Sequence, residues 1–325
     1  MHQWRLCGII VSCLVLAACP PPKGSSGPGS SGNSAINPNA CGTINTTKVG
    51  RKLYSFLVAS ADLDRASFEL ENTVLDACRR MAVDLRTSPL GTTQEVCSRV
   101  AAELQANLQV SVKTEKRLVT RHTPPVCRTS IDVTAGFAAD CEASAAADVN
   151  VRCAGHCNGT CNGACSTGVT GGQCAGTCNG RCSGTCDGYA DVNASAECKA
   201  SAEIHSTAHT VCTEPKVEVV QQDVTIVDAS KFQSAVAAIN HGLPQILSAQ
   251  RRLELAGKAL AQWVSTGASL VASAGDLASQ IGEQGACVVG QLAGVVAASA
   301  NIQARLSVSV EVTAQVSASA GATAQ

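Results

Sequence analysis

Residues 153–186 read CAGHCNGTCNGACSTGVTGGQCAGTCNGRCSGTC, with a cysteine at every fourth position on either side of Val169 and Thr170. Matched from the outside inward, Cys153 goes with Cys186, Cys157 with Cys182, Cys161 with Cys178 and Cys165 with Cys174. Each pair of residue numbers adds to 339. Cys141 with Cys198 and Cys127 with Cys212 extend the same rule. A constant sum is the register condition of two antiparallel strands. Gly155 with Gly184, Gly159 with Gly180 and Gly163 with Gly176 obey it too, as do Cys141-Glu142-Ala143-Ser144-Ala145 and its mirror Ala194-Ser195-Ala196-Glu197-Cys198. The expectation is one long hairpin turning near Val169 and Thr170, with six cystines as its rungs.

Alternation points the same way. Thr129, Ile131, Val133, Ala135, Phe137 and Ala139 share a face with the cysteines, while Arg128, Asp132, Asp140, Glu142, Asp148 and Arg152 share the other. A slip of one residue would invert every side chain. Directly opposed Cα atoms, about 4.5–5.5 Å apart, are within disulfide reach. Glycine at every fourth residue costs a helix about 1 kcal/mol each, which disfavours a helical hairpin. In this register Glu142 faces Glu197 and Asp148 faces Asp191. These carboxylates are expected on a solvated face, and are the alternative contacts for Ca²⁺ or a small ligand.

Thiolates gathered around Zn²⁺ or Cu⁺ are the competing use of repeated cysteines. The zinc spacing Cys-x-x-Cys is absent, however, and a metal cluster needs no mirror symmetry. His205 and His209 would share a metal at positions i and i+4 of a helix. In the strand expected here they lie about 13 Å apart. His156 is expected on the polar face across from Ser183. No metal and no cofactor is therefore expected, and the Asn-x-Ser/Thr triplets at Asn45, Asn158 and Asn193 are chance occurrences in this context.

Outside the ladder, period 3.6 dominates. Leu53, Phe56, Leu57, Leu63, Leu70, Val74, Cys78, Met81 and Leu85 mark one face of a long helix from Val49 to Leu85. Ser88-Pro89-Leu90-Gly91 breaks it, and Thr92 or Thr93 caps a second helix carrying Val96, Cys97, Val100 and Leu104. Antiparallel packing puts Cys78 against Cys97. Further helical stripes run through Ile239, Leu243, Ile246, Leu253, Leu260, Val264 and Val271, and through Leu277, Ile281, Val288, Leu292 and Val295. Strands are expected at Leu108–Val112, at Lys216–Val227, and at Leu306–Ser317, where apolar and polar residues alternate. Bookkeeping of the remaining cysteines joins Cys41 to Cys287.

Composition narrows the function. Nineteen cysteines in 325 residues indicate an oxidising compartment. With 24 basic and 25 acidic residues there is no electrostatic footprint for nucleic acid, and 2% aromatic residues leave few stacking platforms. No Gly-x-Ser-x-Gly, phosphate loop or dinucleotide fingerprint occurs, so the chain is expected to be no enzyme. At the amino terminus, Arg5 precedes a short apolar run, Leu6–Ala17, that fits a signal-peptide core better than a span. Leu16-Ala17-Ala18-Cys19 resembles the lipobox of bacterial lipoproteins, which implies acylation of Cys19, palmitate included. Pro20 stands where an inner-membrane retention Asp would be, which implies the outer membrane.

The Cys-x-Gly-x-Cys runs Cys153–Cys165 and Cys174–Cys186, together with Asp76-Ala77-Cys78, Glu95-Val96-Cys97 and Cys212-Thr213-Glu214-Pro215, resemble cysteine-rich surface lipoproteins of myxobacteria. That resemblance implies an envelope location and brings no catalytic residues. The expected organisation is a lipoprotein signal peptide (1–18), lipidated Cys19 with a disordered tether (19–40), and a helical hairpin (41–105). Antiparallel strands (106–227) follow, containing the Cys-rich hairpin (127–212), then helices (228–303) and a C-terminal strand (304–325). The expected class is α+β: a long disulfide-laddered antiparallel hairpin in a sheet whose apolar face packs on a helical bundle. The expected partners are the membrane, through the lipid anchor, and an envelope or surface protein, with metal or small-ligand binding as the alternative function.

Overall fold

Thr47 opens the first helix by accepting a hydrogen bond from the Gly50 N–H at 3.0 Å. In the computed structural model, which describes residues 36–111, 119–220 and 226–324, this helix α1 (Lys48–Asp84) runs for 37 residues. It buries the expected stripe, Leu53, Phe56 and Leu57 through Val74, Cys78 and Met81. Helix α2 (Thr93–Ser111) begins with a reciprocal cap. The Thr92 N–H donates to Glu95 Oε2 at 2.9 Å, and Thr92 Oγ1 accepts from the Glu95 N–H at 3.4 Å. Leu108 belongs to this helix and not to a strand, while Val112 lies outside the described residues.

The middle of the chain follows as β1 (Val119–His122), β2 (Cys127–Ser130), α3 (Ile131–Glu142), β3 (Asn150–Cys153), β4 (His156–Cys165), β5 (Val169–Thr170), β6 (Gln173–Gly176), β7 (Cys178–Asp187) and β8 (Ala190–Asn193). Then come α4 (Ala196–Ala208), β9 (Val211–Cys212) and β10 (Val217–Val220). The last third holds α5 (Ala229–Ala272), α6 (Ala274–Ile281), α7 (Gly285–Ser319) and β11 (Ala322–Ala324). The described strands form a six-stranded sheet in the order β5-β6-β4-β7-β2-β9, a three-stranded sheet β10-β1-β11, and the pair β3-β8. The fold is α+β, with strand pairs that are antiparallel except for β1 with β11, and a disulfide ladder between strands.

Three further segments expected to be strands are helices. Ile131–Glu142 and Ala196–Ala208 form α3 and α4. Alanine at every second position satisfies period two and period 3.6 alike, and alanine is a strong helix former but a weak strand former. Ser130 decides the first case locally, its Oγ accepting from the Val133 N–H at 3.3 Å. Ile131, Ala135, Ala138 and Ala139 are then buried at helical spacing. The third case is Leu306–Ser317, which continues α7. Its buried residues are Leu306, Ser309, Val312, Thr313 and Val316, while Val310 is 51% exposed. Extending an existing helix needs no new nucleus, and the seam accepts Thr313 because its Oγ1 donates to its own helix at the Val310 carbonyl, whereas the buried Ser309 Oγ has no hydrogen-bond partner among the described residues.

The bundle of α1, α2, α5 and α7 encloses the main core. Phe56 and Trp263 stack at 6.0 Å, and the indole N–H donates to Ser60 Oγ at 3.0 Å, so the one polar atom of the largest buried side chain is satisfied. Helices α6 and α7 are together long and apolar enough to cross a membrane by length and composition. Their seam residues Val288, Leu292, Val295 and Ile302 are nonetheless buried in the bundle core. Arg305 on α7 pairs with Asp64 at 3.0 Å and Glu71 at 3.8 Å on α1. Ile36 is also buried, and the Asn37 N–H donates to Gln291 at 3.2 Å, so the folded part begins before Cys41. Cys19 and the rest of residues 1–35 lie outside the described residues.

Candidate functional site

Eight disulfides join all sixteen cysteines from Cys41 onward. The pairs are Cys41–Cys287, Cys78–Cys97, Cys127–Cys212, Cys141–Cys198, Cys153–Cys186, Cys157–Cys182, Cys161–Cys178 and Cys165–Cys174. The backbone ladder keeps a different count. Across β4 and β7, Cys157 lies opposite Cys186, Cys161 opposite Cys182 and Cys165 opposite Cys178, a sum of 343. The sum holds in β3 with β8 and in β5 with β6. Only at β2 with β9 and at β1 with β10 do backbone partners add to 339.

The sulfurs therefore reach one rung along from their backbone partners. In a flat ladder four residues span about 13 Å, yet the linked Cα atoms are 5.5 Å apart at Cys153–Cys186 and 6.0 Å at Cys157–Cys182. The two strands must be steeply coiled about each other, bringing successive rungs together. Glycine permits that approach. A Cβ on Gly159 would sit 1.9 Å from the Ser183 carbonyl oxygen, and Gly184, its actual partner, has φ +121°. The expected glycine pairs are thus displaced by the same four residues, and His156 faces Asp187 instead of Ser183. The turn falls at Gly171 and Gly172, whose φ values of +60° and +81° suit a two-residue type I′ hairpin.

At the base of the ladder, Cys153, Cys157, Cys182 and Cys186 are buried against Ile131, Ala135 and Ala138 of α3 and against Val151 and Val192. Toward the tip, Asn158, Thr160, Asn162 and Asn179 are exposed, as alternation requires. Arg181 folds back to donate to the carbonyls of Ala147 and Ala146.

The carboxylates expected to oppose one another across strands have other partners. Glu142 ends α3 and accepts from the Ser195 N–H at 2.7 Å. Glu197 takes Lys52 at 3.2 Å. Asp191 faces Arg152 across β3 and β8 and binds Lys199 at 2.8 Å, while Asp148 is exposed in the turn after α3. Burial pushes Glu142 and Glu197 upward. The Ser195 bonds to Glu142 outweigh that, as do the backbone and Lys52 bonds to Glu197, and both carboxyls stay below their ordinary value.

The histidines depart furthest from the sequence expectation. Because α4 is a helix, His205 and its C-cap His209 stand one turn apart, with ring centroids at 4.5 Å. Both face Asp62, a buried residue of α1. His205 Nδ1 is 2.8 Å and His209 Nε2 3.6 Å from the same oxygen, Oδ2, and Arg65 holds Oδ1 at 3.2 Å. Phe137 of α3 stacks on His205 with centroids 4.2 Å apart and planes at 16°. The signal was present as His-x-x-x-His. Its partner Asp62 is 143 residues away in sequence and cannot be read from local pattern.

No protein-family model, curated protein or solved structure matches this chain. Its chemistry must be taken from its own geometry. Two arrangements stand out: a cystine-braced ribbon rooted on α3, and a histidine–aspartate cluster between α1 and α4.

Proposed function

We propose that the chain is a non-enzymatic envelope lipoprotein, held to the outer membrane through acylated Cys19, whose cystine ribbon serves as a rigid spacer or interaction arm. The observation that carries this reading is the run of four cystines, Cys153–Cys186 to Cys165–Cys174, along one narrow ribbon. A two-stranded ribbon alone is marginal in water. Bracing of this density resists bending and local opening. The exposed face of Asn158, Thr160, Asn162 and Asn179 supplies hydrogen-bonding groups with few apolar ones, which suits contact with a hydrated envelope protein.

Photocrosslinking in intact cells tests the arm. A crosslinker replacing Asn162 should capture a discrete envelope partner, while one at exposed Ala300 on α7 should not. Equal capture from both positions, or from neither, contradicts the reading. Replacing Cys19 with Ser should move the protein out of the membrane fraction, and retention there contradicts the anchor.

A further inference from the structure

Asp62 gathers two imidazole rings, 4.5 Å apart, on one carboxylate oxygen while the Arg65 guanidinium holds the other. A simple ion pair accounts for His205 and leaves the convergence of His209 on the same oxygen without a cause. Two imidazole nitrogens and one carboxylate oxygen gathered within 4.8 Å of one another are instead the donor set of a transition-metal ion.

We propose that Asp62 Oδ2, His205 Nδ1 and His209 Nε2 bind one late first-row divalent cation, with Zn²⁺ as the reference ion. Tetrahedral ligands about 2.1 Å from zinc are about 3.4 Å from each other. The two separations from Asp62 Oδ2, 2.8 and 3.6 Å, bracket that value. All three donor atoms lie within 4.8 Å of one another, so shifts of at most about 1.4 Å close the set. The positioning groups of such a site are present as well. Arg65 occupies Oδ1 and leaves Oδ2 to the ion, and the Phe137 ring fixes the plane of His205.

The identity of the ion follows from the donors. Every cysteine in the described residues is in a disulfide, so no thiolate is available for Cu⁺. Ca²⁺ and Mg²⁺ demand six or more oxygens, whereas two nitrogens and one oxygen fit Zn²⁺, Ni²⁺ or Cu²⁺. His209, with 54% of its side chain exposed, is the side from which the ion enters and where water completes the coordination. Bound there, the ion would tie α1 of the bundle to α4, which Cys141–Cys198 joins to α3 beneath the ladder. This inference is independent of the anchor and of the arm.

The test uses the full oxidised chain in detergent, stripped of metal with a chelator and titrated with Zn²⁺ by calorimetry and with Co²⁺ by absorption spectroscopy. One Zn²⁺ per chain is expected, with Co²⁺ giving the intense visible bands of a four-coordinate site. Affinity should fall at least tenfold in His209→Gln and in Asp62→Asn, and remain unchanged in His156→Gln. His209→Gln is at an exposed helix end, so its fold can be verified by circular dichroism even where Asp62→Asn disturbs packing. Absence of binding by the native chain, a weak six-coordinate Co²⁺ spectrum, or one-to-one binding that survives in His209→Gln overturns the proposal.

Discussion

Cys157 lies opposite Cys186 across the β4–β7 ladder but is bonded to Cys182. Backbone and sulfur thus follow two registers four residues apart, and the ribbon must coil to satisfy both. The same offset recurs at Cys161, opposite Cys182 and bonded to Cys178.

Close backbone approach makes the glycines obligatory in the coil. Gly159→Ala would place Cβ 1.9 Å from the Ser183 carbonyl, where neither backbone has room to yield. Loss of correctly oxidised protein is expected, read as scrambled connectivity on non-reducing gels. Gly290 on α7 is the opposite case, with nothing within 4 Å of an added Cβ. There Gly290→Ala should gain up to about 1 kcal/mol in chemical denaturation.

The disulfides should differ in thermodynamic weight. Cys161–Cys178 closes a segment already pinned by the rungs on either side, so losing both sulfurs should cost less than about 2 kcal/mol. Cys41–Cys287 ties chain ends 246 residues apart. Its removal should cost more, roughly 2–5 kcal/mol, although the inner crosslinks shorten the effective loop. Urea unfolding of the oxidised double-serine variants makes the comparison, and equal losses would contradict it.

The cap at Thr92 offers a local check. Thr92→Ala removes the Oγ1 acceptor at the start of α2 and should destabilise by about 1 kcal/mol. Glu95, held below its ordinary value first by the Thr92 backbone bond, should shift toward it in any variant that breaks this contact. An NMR titration of the Glu95 carboxyl reads that change directly.

Acid should weaken the contacts of α4 with α3 and with α1. Glu142 and Glu197 titrate lower in the folded protein than in the unfolded chain, so the unfolded chain takes up their protons first as pH falls. Their contribution is fully present above the ordinary carboxylate range, about pH 4.3, and is lost as pH falls through the lower folded values. Glu142→Gln should flatten that part of the stability profile. An unchanged slope between about pH 5 and 3 would contradict the assignment.

Legibility in the sequence followed the strength of the local signal. The stripe from Leu53 to Met81 could only be a helix, and the mirror order of the cysteines identified partners because nested disulfides preserve sequence order. The backbone register was hidden by that same symmetry, since a coil that shifts every pair by four residues leaves the cysteine spacing intact. Alanine at positions 135, 139, 143, 196, 200 and 202 misled because it fits both periods, and the Val-Ser alternation after Leu306 because buried Ser309 and Thr313 break the apolar seam. A strand would hold His205 and His209 about 13 Å apart, so the Asp62 cluster exists only because α4 is a helix.

Connectivity within the ladder is the most direct test of the two-register ribbon. Mass-spectrometric mapping of the oxidised protein under non-reducing conditions, with partial reduction to isolate single rungs, should recover Cys161 linked to Cys178 and Cys157 linked to Cys182. Recovery of Cys161 linked to its backbone partner Cys182, or of free thiols across Cys153–Cys186, would contradict the account.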